Sequence, residues 1–341
     1  MLETIWFALW GLIWAIYFML DGFDLGLGTM APFISKSETD TRTINNAMGP
    51  FWDGNEVWLV TAGGVTFAAF PTAYAVMFST LYTPLLLILF GLIVRAVSFE
   101  FRGKVDSAAW RKLWDVCQFV GSFVPAFLFG VVFANIFQGI PFDGQHHMQG
   151  DLQSLLNPYG ILGGILFVFM FVLHGSLWLA IKTDGDLQTR ASKAAAGLWG
   201  VVLVVAVVFL VHTWWATTLW TNYLTRPVLF IIPLVAVAAL VTARIFISSR
   251  SWWKAWAASG LTIVGATMFG VVGLYPNIFP SSLNPEWSLT VFNASSTSLT
   301  LTIMLVVALI MVPIVIVYQS WAYYLFRHKV TPDDLASDEA Y

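Results

Sequence analysis

Charged side chains are scarce in this chain. They make up 10% of its 341 residues, 16 Lys and Arg against 19 Asp and Glu. A soluble domain ordinarily carries about 25%. So few charges cannot clothe a surface that faces water on every side. The lack of any long basic or acidic tract speaks against a nucleic-acid partner. Cysteine occurs once, at Cys117. That forbids an internal disulfide and a thiolate metal cluster, and within an apolar run it reads as a small buried hydrophobe. No phosphate-binding glycine loop and no nucleophile triad are present. Residues 1–30 lack a basic leader segment and a small-residue cleavage site, so the first apolar run is expected to be retained.

What is abundant is apolar surface: 58% hydrophobic residues, 16% aromatic with 17 Trp, and a mean hydropathy of +0.78. Lipid is the solvent such a chain matches, and helices satisfy their own backbone there. Spanning takes roughly 20 mainly apolar residues. Runs of that kind lie at 5–29, 50–70, 73–100, 114–138, 158–181, 195–220, 227–247, 256–275 and 299–326. The expected fold is all-α, a polytopic membrane protein of nine helices. Of the lysines and arginines, all but Arg95 and Arg226 fall on one side of this scheme. The positive-inside rule makes that side cytoplasmic. Met1 is then outside, with the acidic tail Asp333–Glu339 inside.

A weak internal repeat divides the chain. Phe18-Met19-Leu20-Asp21-Gly22 in span 1 matches Phe171-Val172-Leu173-His174-Gly175 in span 5. Phe129-Gly130-Val131-Val132 near the end of span 4 matches Phe269-Gly270-Val271-Val272 in span 8. Four spans separate the copies, as in a parallel repeat. The expected units are a first four-helix bundle over 1–139, an outer loop and second bundle over 140–298, and a ninth helix with its tail over 299–341.

Ionisable groups inside a membrane cost several kcal/mol unless paired or wet, so each one is a functional candidate. Here they gather at the cytoplasmic ends of the first four spans: Asp21 and Asp24, Asp53 and Glu56, Arg95, Glu100, and Asp115. Asp21 with Asp24, and Asp53 with Glu56, are spaced to share a helix face. One arginine can neutralise only some of these carboxylates. Carboxylates differing in burial and charge compensation on facing helices make a proton relay. An Arg95–Asp pair that merely locks the bundle accounts for Arg95 equally well. Asp53 favours the functional reading, and Glu100 a place at the headgroups.

Histidines give less. His174 and His212 are the two within spans, each without an arranged partner, and read as hydrogen-bonded bundle residues rather than haem ligands. His146 and His147 share an outer loop with Asp143 and Asp151, where a solvated loop outweighs a metal site. His328 belongs with the headgroups. No metal site and no catalytic residue are expected in this chain.

Several stretches together resemble subunit II of the cytochrome bd quinol oxidases. They are Asp21-Gly22-Phe23-Asp24-Leu25-Gly26, Gly49-Pro50-Phe51-Trp52-Asp53-Gly54-Asn55-Glu56-Val57-Trp58, Thr61-Ala62-Gly63-Gly64, Phe99-Glu100-Phe101-Arg102, Gly121-Ser122-Phe123-Val124-Pro125 and Gln138-Gly139-Ile140-Pro141-Phe142. The resemblance covers essentially the whole chain and is closest in the N-terminal half. It implies a pseudosymmetric heterodimer with a homologous subunit I in the bacterial cytoplasmic membrane. Subunit I would carry two b-type haems, one d-type haem and the quinol site. The complex would oxidise quinol, reduce dioxygen to water electrogenically and draw protons from the cytoplasm. Subunit II would bind no haem, support its partner and contribute to the proton path. A structural quinone and small accessory subunits are also compatible with it. The Trp-Asp-Gly context carries the path onto Asp53. Asp24 and Arg95 follow less directly, and Asp21 and Glu56 join them by position.

The competing reading is a secondary transporter, suggested by the repeat and the intramembrane charges. It lacks broken helices with polar midplane residues in both halves. Topology is open to direct test. A reporter active only in the cytoplasm should be active when fused after Tyr341 and silent when inserted in the 139–157 loop. The reverse pattern would refute the nine-span scheme.

Overall fold

The computed structural model describes residues 1–336. Of the acidic tail Asp333–Glu339, residues 337–339 lie outside the described residues. In chain order the helices are α1 (Leu2–Ile34), α2 (Glu38–Met48), α3 (Trp52–Ala69), α4 (Pro71–Thr80), α5 (Tyr82–Phe101), α6 (Ala108–Gln138), α7 (Leu152–Leu155), α8 (Pro158–Lys182), α9 (Gly185–Ala216), α10 (Trp220–Thr225), α11 (Ile231–Ser248), α12 (Trp252–Leu274), α13 (Ser298–Leu325) and α14 (Pro332–Ala336). Two short strands, β1 (Asn277–Phe279) and β2 (Leu289–Thr290), pair antiparallel. Among the described residues the fold is all-α apart from this hairpin and two isolated bridges, Ile140 with Ser281 and Phe142 with Met148.

Among the described residues, eight helices are long and apolar enough to cross a membrane: α1, α5, α6, α8, α9, α11 with the 3₁₀ turn before it, α12 and α13. The expected second span is α3. It is helical over 18 residues, but its Asp53-Gly54-Asn55-Glu56 head leaves it too polar to join that group. The expected third span is interrupted. α4 stops at Thr80 and α5 starts at Tyr82, because Pro84 has no N–H to give the Thr80 carbonyl. Pro71 separates α3 from α4 in the same way, entering at the first turn of α4, where proline is tolerated.

Hydropathy misplaced other ends. α6 and α9 begin well before the apolar runs expected at 114 and 195, the first capped by Ser107, whose hydroxyl accepts from the Trp110 N–H. Residues 30–49, expected as a connection, contain the amphipathic α2. Ser37 caps it, and the Trp178 indole donates to the Ala47 carbonyl at 2.9 Å. On the opposite side, the 139–157 and 276–298 loops close over the bundle. The Ile140 N–H donates to the Pro280 carbonyl, Ser282 N–H to the Ile140 carbonyl, and Phe142 stacks on Phe279.

α1 is the central helix, packed by α3, α6, α8 and α12. Lipid supplies no hydrophobic drive between helices, so close contact depends on small residues. At the α1–α8 crossing the backbones touch. A Cβ on Gly26 would lie 1.9 Å from the Phe171 carbonyl oxygen, and one on Gly175 would lie 2.7 Å from the Leu27 nitrogen. Neither backbone can yield as a side chain would. Gly26→Ala should therefore lower the melting temperature of the purified protein or prevent its accumulation, a cost of at least about 1–3 kcal/mol. Gly197→Ala, on α9 with nothing within 4 Å of the new methyl, should do neither. Equal behaviour of the two variants would contradict this packing.

Candidate functional site

Arg95 on α5 is fully buried. Its Nη2 donates to Asp21 Oδ1 of α1 at 2.8 Å and to Glu56 Oε1 of α3 at 2.5 Å. One guanidinium thus ties three helices together. The side chain of Asp21 is 0% exposed and that of Glu56 is 23% exposed. The cluster therefore grades from the interior toward the surface of the chain. Gly121 of α6 allows this, because a Cβ there would lie 2.8 Å from the Arg95 backbone nitrogen.

Asp24, one turn beyond Asp21, takes a different partner. Its Oδ2 accepts from the Asn55 side-chain amide at 2.7 Å. That amide also reaches the Leu20 carbonyl at 3.3 Å. The Asn55 carbonyl oxygen in turn accepts from Gln319 Nε2 at 3.1 Å and from the Tyr323 hydroxyl at 3.0 Å, both on α13. Gln319 accepts from the Trp58 indole at 2.7 Å. The donors run one way, Trp58 to Gln319 to Asn55 to Asp24, so each bond polarises the next. Four atoms of the cluster, Asp21 Oδ2, Asp24 Oδ1, Arg95 Nε and Arg95 Nη1, are buried without a protein partner.

The structure thus brings together Asp21, Glu56 and Arg95, with Asp24 adjoining through Asn55. Asp53 stands apart. It is exposed on α3, and among the described residues it makes no hydrogen bond or ion pair. Its influence on the cluster is through its charge on Glu56, one turn away. Asp24 is held by Asn55 and not by Asp53. Asn55, Trp58, Gln319 and Tyr323 were missed, although Asn55 and Trp58 stand in the motif around Asp53. The missed signal was the pair of uncharged amides inside apolar helices, which also demand partners in lipid.

Nearer the end of α5, Glu100 is exposed. Arg102 is buried and bonds Asp115 at 2.6 Å and Glu38 at 2.7 Å. Its guanidinium holds the Glu38 carboxyl below the usual carboxylate range. The two contacts fasten α2 and α6 to the end of α5.

His174 is buried, with Nδ1 2.6 Å from the Ser259 hydroxyl and Nε2 3.0 Å from the Met19 carbonyl. Its ring stacks on Trp256. His212 meets Tyr159 edge-on. In the 139–157 loop, Asp143 accepts from the Gln145 and His147 N–H groups and from the Gln149 amide. Those backbone donors hold its carboxyl below the usual range, so it acts as a turn cap. No group of three metal-ligating side chains occurs among the described residues.

Two cavities bear on a quinone. One, among α6, α8, α9, α11 and α12, is lined almost wholly by apolar groups, and its Thr262 and Thr267 hydroxyls already donate to their own helix. The other, about 400 Å³, lies between α1, α12 and α13 and is lined by Trp58, Trp253, Trp256, Gln319 and Tyr323. The Trp256 N–H at its wall is buried without a partner. The second cavity offers an unpartnered donor beside aromatic rings, and the first offers almost only apolar surface.

Comparison with known proteins agrees with this architecture. Residues 2–326 match the family described as cytochrome bd terminal oxidase subunit II. Cytochrome bd ubiquinol oxidase subunit 2 of Bacillus subtilis is 38% identical, with 97% of each chain covered. Cytochrome bd-I ubiquinol oxidase subunit 2 of Escherichia coli K12 is 34% identical over 98% of this chain and 96% of the relative. The bd oxidase structure from Geobacillus thermodenitrificans superposes with a TM-score of 0.77 at 17% identity, covering 95% of this chain and 98% of that one; this last likeness is one of fold. The chain belongs to the cytochrome bd terminal oxidase subunit II family, the components of an oxygen-reducing quinol oxidase.

Proposed function

We propose that this chain is the haem-free subunit of its oxidase, supports a homologous haem-bearing subunit I, and passes protons from the cytoplasm toward it. Two four-helix bundles followed by a ninth helix, with Met1 outside and the C-terminus inside, is the arrangement this requires. The observation that carries the proton reading is the graded burial along α3 and α1. Asp53 is exposed, Glu56 is partly exposed, and Asp21 and Asp24 are buried. A proton taken up at Asp53 moves one helical turn to Glu56. From there it meets the Arg95 and Asp21 pair, where the unpartnered Asp21 oxygen can take a proton and the unpartnered Arg95 N–H groups can hold water beside it. Arg95 keeps the carboxylates from repelling one another, and Asn55 orients Asp24. The cluster lies toward one end of one bundle, which supports this reading over a transporter, whose site would sit at the midplane between repeats.

The haems are proposed to lie in subunit I. Both ring nitrogens of His174 are engaged within the chain, which leaves none for iron. A structural quinone would take the cavity between α1, α12 and α13, its ring among the tryptophans.

Asn keeps the shape of Asp53 but cannot titrate. The Asp53→Asn oxidase should assemble with normal haem content and consume oxygen more slowly per haem. The full contribution of a general acid or base is about 10²–10⁴-fold. A relay that water can bypass loses about 100-fold or less. Normal turnover per haem would refute the role; joint loss of assembly and haem would make Asp53 structural. Separately, His174→Ala should leave haem per assembled complex unchanged, as read from the visible spectrum. Loss of one haem per complex would overturn the haem-free assignment.

A further inference from the structure

Arg102, Arg111 and Arg190, at the ends of α5, α6 and α9, pair with carboxylates. The cations around the α11–α12 turn do not. Between Asp186 and Glu286 the chain has no acidic residue, and among the described residues Lys193, Arg244 and Arg250 form no salt bridge. Yet these three line one cavity of about 240 Å³ between α9 and the α11–α12 turn, together with Ser192, Ser248 and Trp252. Arg244 is held at its wall by the Ala196 carbonyl at 3.3 Å and by the face of Trp199. Three like charges gathered without a counter-charge repel one another unless an anion joins them.

The backbone adds an independent observation. The Ser251 N–H donates to the Phe246 carbonyl and the Arg250 N–H to the Ile247 carbonyl, the two bonds of a Schellman helix end. Its left-handed position normally holds glycine. Here it holds Arg250, at φ 54°. Strain kept by a non-glycine residue points to a use for its side chain, and this side chain borders the basic cavity. Apolar helices α9 and α11 run from the site, and Trp252, of the residue type enriched where membrane helices meet headgroups, lines it.

We propose that this cavity binds the phosphate of an anionic phospholipid headgroup, with the acyl chains lying along α9 and α11. A basic pocket between membrane helices is the form such sites take. The lipid, unlike free phosphate, also gains from the apolar helix faces. The proposal is independent of the proton path.

The test uses the intact oxidase in phosphatidylcholine nanodiscs doped with spin-labelled phosphatidylglycerol, reading the immobilised fraction against spin-labelled phosphatidylcholine. The preference for phosphatidylglycerol should fall about fivefold for each charge removed in Lys193→Gln and Arg250→Gly. Arg250→Gly also relieves the left-handed strain, so its melting temperature should not fall, and Lys193→Gln changes an exposed side chain. Excess inorganic phosphate should not displace the label. An unchanged lipid preference in either variant, or displacement by inorganic phosphate, would overturn the proposal.

Discussion

The arrangement of the candidate site depends on one buried guanidinium. Arg95 is fully buried away from bulk solvent, so it must find counter-charge, and it finds two carboxylates on two other helices. Removing one partner of such a set leaves an uncompensated charge, typically at about 3–5 kcal/mol. That penalty fixes the mutual position of α1, α3 and α5. Apolar packing alone would not fix it, because lipid competes equally well for apolar side chains. The same constraint holds a carboxylate at the core of a lipid-facing protein, where charge is otherwise excluded.

The fold was legible in the sequence wherever apolar run length decided it. Helices at 158–182 and 298–325 coincide almost residue for residue with the runs read from hydropathy. Hydropathy reports where lipid ends, though, and not where a helix ends. α6 and α9 therefore continue beyond their apolar runs, and α2 was invisible because its polar face lowers its mean. The break at Leu81 was legible in principle from Pro84, but an unbroken apolar run outweighed one proline.

The candidate site was half legible for a geometric reason. Charge in an apolar run identified Asp21, Asp24, Glu56 and Arg95, and the structure places them together. Helical spacing also grouped Asp53 with Glu56. Residues three apart, however, differ by about 60° around the axis. On α3, which carries polar groups on several sides, 60° separates a carboxylate bonded to Arg95 from one exposed at the surface. Which face turned inward was set by Arg95 on another helix, and no local pattern in α3 contains that information.

α13 shows what replaces packing in such a chain. Only Leu301 of its 28 residues is buried, yet it is held at three heights by hydrogen bonds. The Trp6 indole donates to the Leu301 carbonyl. Gln319 and Tyr323 donate to Asn55. Lys182 Nζ donates to the Phe326 and His328 carbonyls, closing the far end. A helix attached this way keeps most of its surface free for lipid or another subunit. Its middle latch is also the acceptor side of the residue that orients Asp24. Shifting α13 would strain or break the Asn55 bonds, and Asn55 is the residue that holds Asp24. The helix with the least packing is thereby the one most directly connected to the site.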